Sequence, residues 1–143
     1  MVALPKPFRC EVITPSGRAF GGEVISIVFP APDGLVGVLG GRGPLMVMLG
    51  SGPMRAREMS GGKSVFFVAG GFARFLDNTL VLLCEDCVPV QNIDPDVAWE
   101  EIQKAQAMSE ETPRQIEARQ EALKRARDKF NMAQKYQKQI GER

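Results

Sequence analysis

The stretch CVPVQNIDPDVAWEEIQKA, residues 87–105, decides the fold, because the pattern of the chain changes inside it. Before Ile93, apolar residues come in short runs cut by Gly, Pro, Asn and Asp. After Ile93, Gly and Pro fall away, Glu, Gln, Lys, Arg and Ala take over, and the apolar period becomes that of a helix. Asp94-Pro95 reads as an N-cap followed by proline at the first helical position. Ala98, Ile102, Ala105 and Met108 then fall on one narrow face, with Trp99 beside it. The segment SEETP, residues 109–113, interrupts this helix, and Thr112-Pro113 restarts it with the same device. Ile116, Leu123, Ala126, Phe130 and Ala133 form a second stripe. Two thin stripes joined by a short linker predict an antiparallel helical hairpin over residues 94–143.

Outward from the boundary toward the N-terminus, the punctuation is that of strands. Turn signals stand at Ser16-Gly17, Asp33-Gly34, Gly40-Gly41, Gly50-Ser51-Gly52, Gly61-Gly62 and Asp77-Asn78. FRCEVI (8–13) alternates strictly, as a half-buried antiparallel strand does. EVISIVF (23–29), GLVGVL (34–39), LMVML (45–49), SVFFVA (64–69) and TLVLLC (79–84) are nearly continuous apolar runs. Many short strands at close spacing predict a two-sheet sandwich or flattened barrel over residues 1–93.

At 143 residues, 44% hydrophobic and 24% charged, the chain is globular and long enough to bury a core. A formal net charge of +1 gives no overall pull toward nucleic acid or acidic lipid, but the charge is unevenly placed. Residues 94–111 hold six acids and one base, Lys104, whereas residues 114–143 hold nine bases and four acids. The aromatic residues among those bases, Phe130 and Tyr136, are isolated, so no stacking platform for nucleic acid is expected. No apolar stretch approaches the roughly 20 residues of a membrane span. MVALPKPFRC lacks the apolar core of a signal peptide, so the chain is expected to be soluble and to stay where it is made.

The absence of histidine removes the commonest general base and the commonest zinc ligand. Cys84 and Cys87 form a Cys-x-x-Cys pair, but a zinc site needs four ligands and only Cys10 remains to help. Redox chemistry of the thioredoxin type needs the pair at a helix N-terminus, and here it ends a strand. Buried or half-buried thiols in a reducing compartment are the simpler reading. REMSGGKS, residues 57–64, ends like a phosphate-binding loop, yet the position that must be the first glycine is Arg57, and a strand rather than a helix follows. It reads as a hairpin turn with Lys63 on its rim.

The order RCEVITPSGRAFGGEVISIVFPAPDG, GLVGVLGGRGPLMVML, GGKSVFFVAGGFARFLDNTLVLLCEDCV, IDPDVAWEEIQKA and EALKRARDKF resembles the epsilon subunit of bacterial F-type ATP synthase, over nearly the whole chain. The resemblance implies a flattened N-terminal β-sandwich of about ten strands, beside the gamma subunit and against the membrane ring of c subunits. It implies a C-terminal hairpin that switches between folded and extended forms, the extended form restraining ATP hydrolysis by the alpha and beta catalytic subunits. The loop DGLVGVLGGRGPL would face the c ring, with Arg42 at a position where family members carry histidine and Leu35 at an acidic one. Gly70 and Gly71 would permit close packing of the gamma subunit.

Some family members bind ATP in the folded hairpin, through an Ile/Leu-Asp-x-x-Arg-Ala motif and two arginines four apart. Here the motif's arginine is Val97 and the second arginine pair reads Arg125 and Lys129. A lysine does not replace a bidentate guanidinium on phosphate, so the resemblance implies at most a weak ATP site of Asp94, Arg125 and Lys129. Arg119, Lys124, Arg125, Arg127 and Lys129 are the charges expected to meet an acidic loop of the catalytic subunits. The implied protein is a non-catalytic rotor subunit with no cofactor, metal site or membrane insertion of its own, peripheral on the cytoplasmic face of the bacterial plasma membrane. The rival reading is a free-standing β-sandwich ligand-binding module with a helical oligomerisation tail; one Trp and one Tyr offer it little to line a pocket with.

Overall fold

The computed structural model describes residues 6–141, and the chain divides into two compact units, Met1–Val88 and Pro89–Arg143. The first holds seven strands: β1 (Phe8–Thr14), β2 (Gly17–Ala31), β3 (Gly34–Leu39), β4 (Leu45–Met48), β5 (Ser51–Glu58), β6 (Lys63–Leu76) and β7 (Thr79–Pro89). They form one mixed sheet in the order β1-β7-β6-β5-β2-β3, with β4 on β6 and a further β1–β2 pairing. The β1–β7 pair is parallel, the other registered pairs antiparallel. Because β1 pairs with both β7 and β2, the sheet closes on itself and leaves β3 at an edge.

Seven strands are fewer than the ten the resemblance implied. β2 and β6 each change partner without a break: β2 pairs with β1 over its first half and β3 over its second, and β6 passes from β5 to β4. The corner in β6 is Gly70-Gly71. Gly70 N–H donates to the Gly50 carbonyl at 3.1 Å, and Leu49 N–H to the Gly71 carbonyl at 2.9 Å, so the corner is bonded to the β4–β5 junction.

Alternation along β1 puts Phe8, Cys10 and Val12 inside and Arg9 outside, as the sequence dictates. With Val24, Ile27, Phe29, Met54, Phe75, Leu80 and Leu82 they belong to one continuous core cluster. Phe8 and Phe75 meet edge to face, ring centroids 5.6 Å apart. Burial of this apolar surface is the main stabilising term for the unit. β5 was not expected: Gly52 and Pro53 disguise it as a turn, yet it lies between β6 and β2. Met54 and Ala56, both buried, hold it there.

The second unit contains a 3-10 turn (Val90–Asn92), α1 (Pro95–Gln106) and α2 (Pro113–Gly141). Asp94 caps α1 by accepting from Asp96 N–H at 2.9 Å. Thr112 Oγ1 accepts from Gln115 N–H at 3.2 Å while Gln115 Oε1 accepts from Thr112 N–H at 3.1 Å, a reciprocal capping box. Ala98, Ile102, Ala105, Leu123, Ala126 and Ala133 are buried as the stripes predicted, but Met108 and Ile116 are about two-fifths exposed. Met108 lies past the end of α1, and Ile116 sits in the first turn of α2, where α1 has already ended.

Candidate functional site

Two exposed surfaces of the β unit and one face of the hairpin hold the residues singled out from sequence. The first surface is the outer face of β3. Leu35 stands near its start, opposite Pro30 of β2, and is 60% exposed; Leu39, on the same face, is also exposed. Arg42 is exposed in the turn that follows, its Nε donating to the Gly43 carbonyl at 3.3 Å. Leu35 and Arg42 therefore flank one edge strand rather than share one turn, with roughly 13 Å of strand between residues 35 and 39.

The second surface is one the sequence reading missed. β4 lies on the last part of β6 with Met46 opposite Arg74 and Met48 opposite Phe72. Met46 is 69% exposed, Met48 59% and Phe72 52%, so three large apolar side chains form a contiguous strip facing outward. LMVML is a nearly continuous apolar run in the sequence, and in the structure half-buried Leu45 and Val47 alternate along it with exposed Met46 and Met48. Exposed Arg74, opposite Met46, shares this face.

Gly70 and Gly71 adjoin this strip in sequence, at φ 70° and 103°. The constraint at Gly71 is internal: a Cβ there would run into the backbone carbonyl of Leu83. Near the other end of β6 the GGKS stretch forms the β5–β6 hairpin turn, where Glu58 N–H donates to the Gly62 carbonyl at 2.8 Å and Lys63 is exposed.

Four of the five cations singled out in the hairpin, Arg119, Lys124, Arg125 and Lys129, stand in ion pairs. Arg119 Nη1 pairs with Glu110 at 2.7 Å, and its Nε and Nη2 donate to the Gln106 carbonyl at the end of α1. Lys129 pairs with Glu101 of α1 at 3.3 Å. Lys124 pairs with Asp128 at 2.8 Å and Arg125 with Glu121 at 2.6 Å, both one turn apart on α2. Arg127 is exposed. Of the residues nominated for ATP, Asp94 is occupied as a helix cap, and Arg125 and Lys129 lie one turn apart, each in an ion pair. Trp99 stacks obliquely on Phe130, centroids 5.4 Å apart.

The three thiols are unbridged. Burial pushes Cys10 and Cys84 up to about 12 and Cys87 up to about 11, with neighbouring acids and thiols adding to the effect. Such thiols stay protonated near neutrality and are poor nucleophiles and metal ligands. Among the described residues no three His, Cys, Asp or Glu side chains cluster as a metal would need, and no helix is long and apolar enough to cross a membrane.

Residues 7–90 match the family model described as ATP synthase, Delta/Epsilon chain, beta-sandwich domain. The chain is 35% identical over 119 residues to an ATP synthase epsilon chain of Rhodopirellula baltica, covering 83% of this chain and 92% of that one. It is also 35% identical over 119 residues to the chloroplastic epsilon chain of Cyanidioschyzon merolae, covering 81% and 90%. Among solved structures, a chain of the Euglena gracilis mitochondrial ATP synthase (OSCP/F1/c-ring) superposes with TM-score 0.74 at 19% identity, over 89% of this chain and 81% of that one. A chain of the Tetrahymena thermophila mitochondrial ATP synthase central stalk and c ring gives TM-score 0.71 at 16% identity, over 92% and 99%. At those identities the structural likeness is one of fold, and it agrees with the sequence likeness: this chain belongs to the ATP synthase epsilon-chain family.

Proposed function

We propose that this chain is a non-catalytic rotor subunit of an F-type ATP synthase, joining the gamma subunit to the ring of c subunits during proton-driven ATP synthesis. The observation that carries this reading is the pair of outward surfaces on a β unit of this family: an apolar strip of Met46, Met48 and Phe72, and an edge strand bearing Leu35 and ending at Arg42. The strip, next to the Gly70-Gly71 corner, suits a helical partner and is assigned to gamma. The β3 face, with one fixed positive charge at its end, is assigned to the c ring. The chain then sits peripherally on the cytoplasmic face of a bacterial plasma membrane, in keeping with bacterial relatives such as that of Rhodopirellula baltica.

The seven strands are read as a flattened sandwich in which β2, β6 and β7, the three longest, each serve as two strands and so make up ten. Residues 1–93 are read as a self-sufficient domain and residues 94–143 as a hairpin that regulates hydrolysis. Its apolar seam is thin, built on Ile102, Ala105, Leu123 and Ala126. Folded and extended states then differ by a few kcal/mol, a gap that partner contacts reverse. On extension, Arg119 and Lys129 leave Glu110 and Glu101 and join Lys124, Arg125 and Arg127 against an acidic loop of the catalytic alpha and beta subunits. ATP binding by Asp94, Arg125 and Lys129 is weak, since a phosphate must displace ion pairs already made.

The test is purification of the tagged full chain from membranes, followed by assay of the complex. A gamma-like partner and the c ring should co-purify, and Arg42→Glu should lower proton pumping per ATP hydrolysed while the chain stays folded. Loss of folding with pumping intact would leave the β3 turn without a role in coupling.

A further inference from the structure

The side chain of Asn78 does something its own turn does not require. Asp77 and Asn78 are the two central residues of the β6–β7 hairpin, at φ 50° and 57°. A two-residue turn with both φ positive is served at least as well by glycine in the second place. Yet the Asn78 amide reaches two other segments of the chain. Its Oδ1 accepts from Gly41 N–H at 3.2 Å, 37 residues away, and its Nδ2 donates to the Pro7 carbonyl at 2.9 Å, 71 residues away. The chemistry of the partners fixes the amide orientation, because an N–H needs the oxygen and a carbonyl needs the nitrogen. The Asn78 carbonyl also accepts from Arg9 N–H at 3.2 Å.

The turn so held is residues 40–44, between β3 and β4, and it carries Arg42. It lies outside the sheet ladders, so its shape depends on such side-chain bonds. A Cβ on Gly40 would collide with the Lys6 carbonyl, so the turn is packed against the residues leading into β1. Three segments meet at one amide, and the exposed cation is one residue from the bonded Gly41.

We infer that Asn78 is a positioning residue: it clamps the turn 40–44 and thereby presents Arg42 in the orientation its partner reads. This rests on the assignment of Arg42 to the c ring. Asn78→Gly keeps the turn backbone and removes the amide; Asn78→Asp keeps the acceptor for Gly41 and gives up the donor to Pro7.

Backbone amide exchange in the full chain reads the clamp directly. Gly41 should exchange about tenfold faster in Asn78→Gly, as loss of one hydrogen bond implies, and stay protected in Asn78→Asp. Unchanged Gly41 exchange in Asn78→Gly overturns the clamp. In the assembled complex, pumping per ATP hydrolysed should fall in Asn78→Gly, recover in Asn78→Asp, and fall no further when Asn78→Gly is added to Arg42→Ala. Additive losses, or full coupling in Asn78→Gly beside a defective Arg42→Ala, overturn its action through Arg42. If Arg42→Ala alone is fully coupled, the ring assignment fails, and Gly41 exchange still decides the clamp.

Discussion

Gly71 combines a left-handed φ of 103° with the Leu83 carbonyl standing where a side chain would begin. Gly71→Ala should therefore cost at least about 2 kcal/mol, from backbone strain plus a clash with rigid backbone. The urea midpoint of Gly71→Ala against that of the unaltered chain checks the cost. Lys63 makes the opposite case: exposed, and opposite Arg57 on the partner strand, it should go to alanine within about 0.5 kcal/mol and with no change in ATP hydrolysis by the complex. Loss of nucleotide binding in Lys63→Ala would contradict the reading of GGKS as a turn. The thiols give a pH signature. Their folded pKa values of about 11 to 12 lie above the ordinary value of 9.0, so the unfolded chain gives up protons first as pH rises. Stability should be insensitive to the thiols below pH 8 and fall above pH 9. Thiol-reactive dye at pH 7.5 should label the native chain slowly, half-buried Cys87 first, and the urea-unfolded chain quickly. The turn at Asp77-Asn78 was plain in the sequence, but the clamp Asn78 makes was not, because its partners are 37 and 71 residues away.

At the scale of elements, the hairpin is held by a thin apolar seam and by ion pairs that include Arg119 with Glu110 in the linker and Lys129 with Glu101 of α1. Arg119 contributes most by bonding the α1 C-terminal carbonyl of Gln106, where a cation also suits the helix dipole. Arg119→Ala should loosen the hairpin by about 1 kcal/mol, discounted for the exposure of Glu110. Trp99, in contact with Phe130, reports the loosening as a red-shifted emission. ATP at micromolar concentration should leave that emission unchanged; saturable quenching would show that Val97 is tolerated in a working site. Both helix starts were legible because cap and proline are local signals. The stripes were overcounted at Met108 and Ile116, since a stripe buries nothing beyond the end of the helix it faces. β5 was illegible because Gly52 and Pro53 are turn residues by composition, and only pairing with β6 and β2 makes the segment a strand.

For the molecule as a whole, the β unit owns a core that runs unbroken from Phe8 to Cys84, whereas α1 and α2 share four buried residues in their own cluster. Removal of everything after Ile93 should leave a cooperatively folding β unit that still joins the complex and releases hydrolysis from restraint. Reversing Lys124, Arg125 and Arg127 to Glu should mimic that release, and both effects should shrink at high salt. Equal hydrolysis rates for full-length, truncated and charge-reversed chains would make the hairpin a spacer. The two-part architecture was readable from the change of period at Asp94, and the turn after β3 from its Gly40-Gly41 signal. The Met46, Met48 and Phe72 strip was not, because an apolar run does not say which of its faces is covered. The division of labour between the two surfaces is tested most directly by single cysteines at positions 42 and 48, crosslinked in the assembled complex. Position 42 should crosslink to c subunits and position 48 to gamma, neither to a catalytic subunit; both crosslinking to one partner, or either to a catalytic subunit, would contradict it.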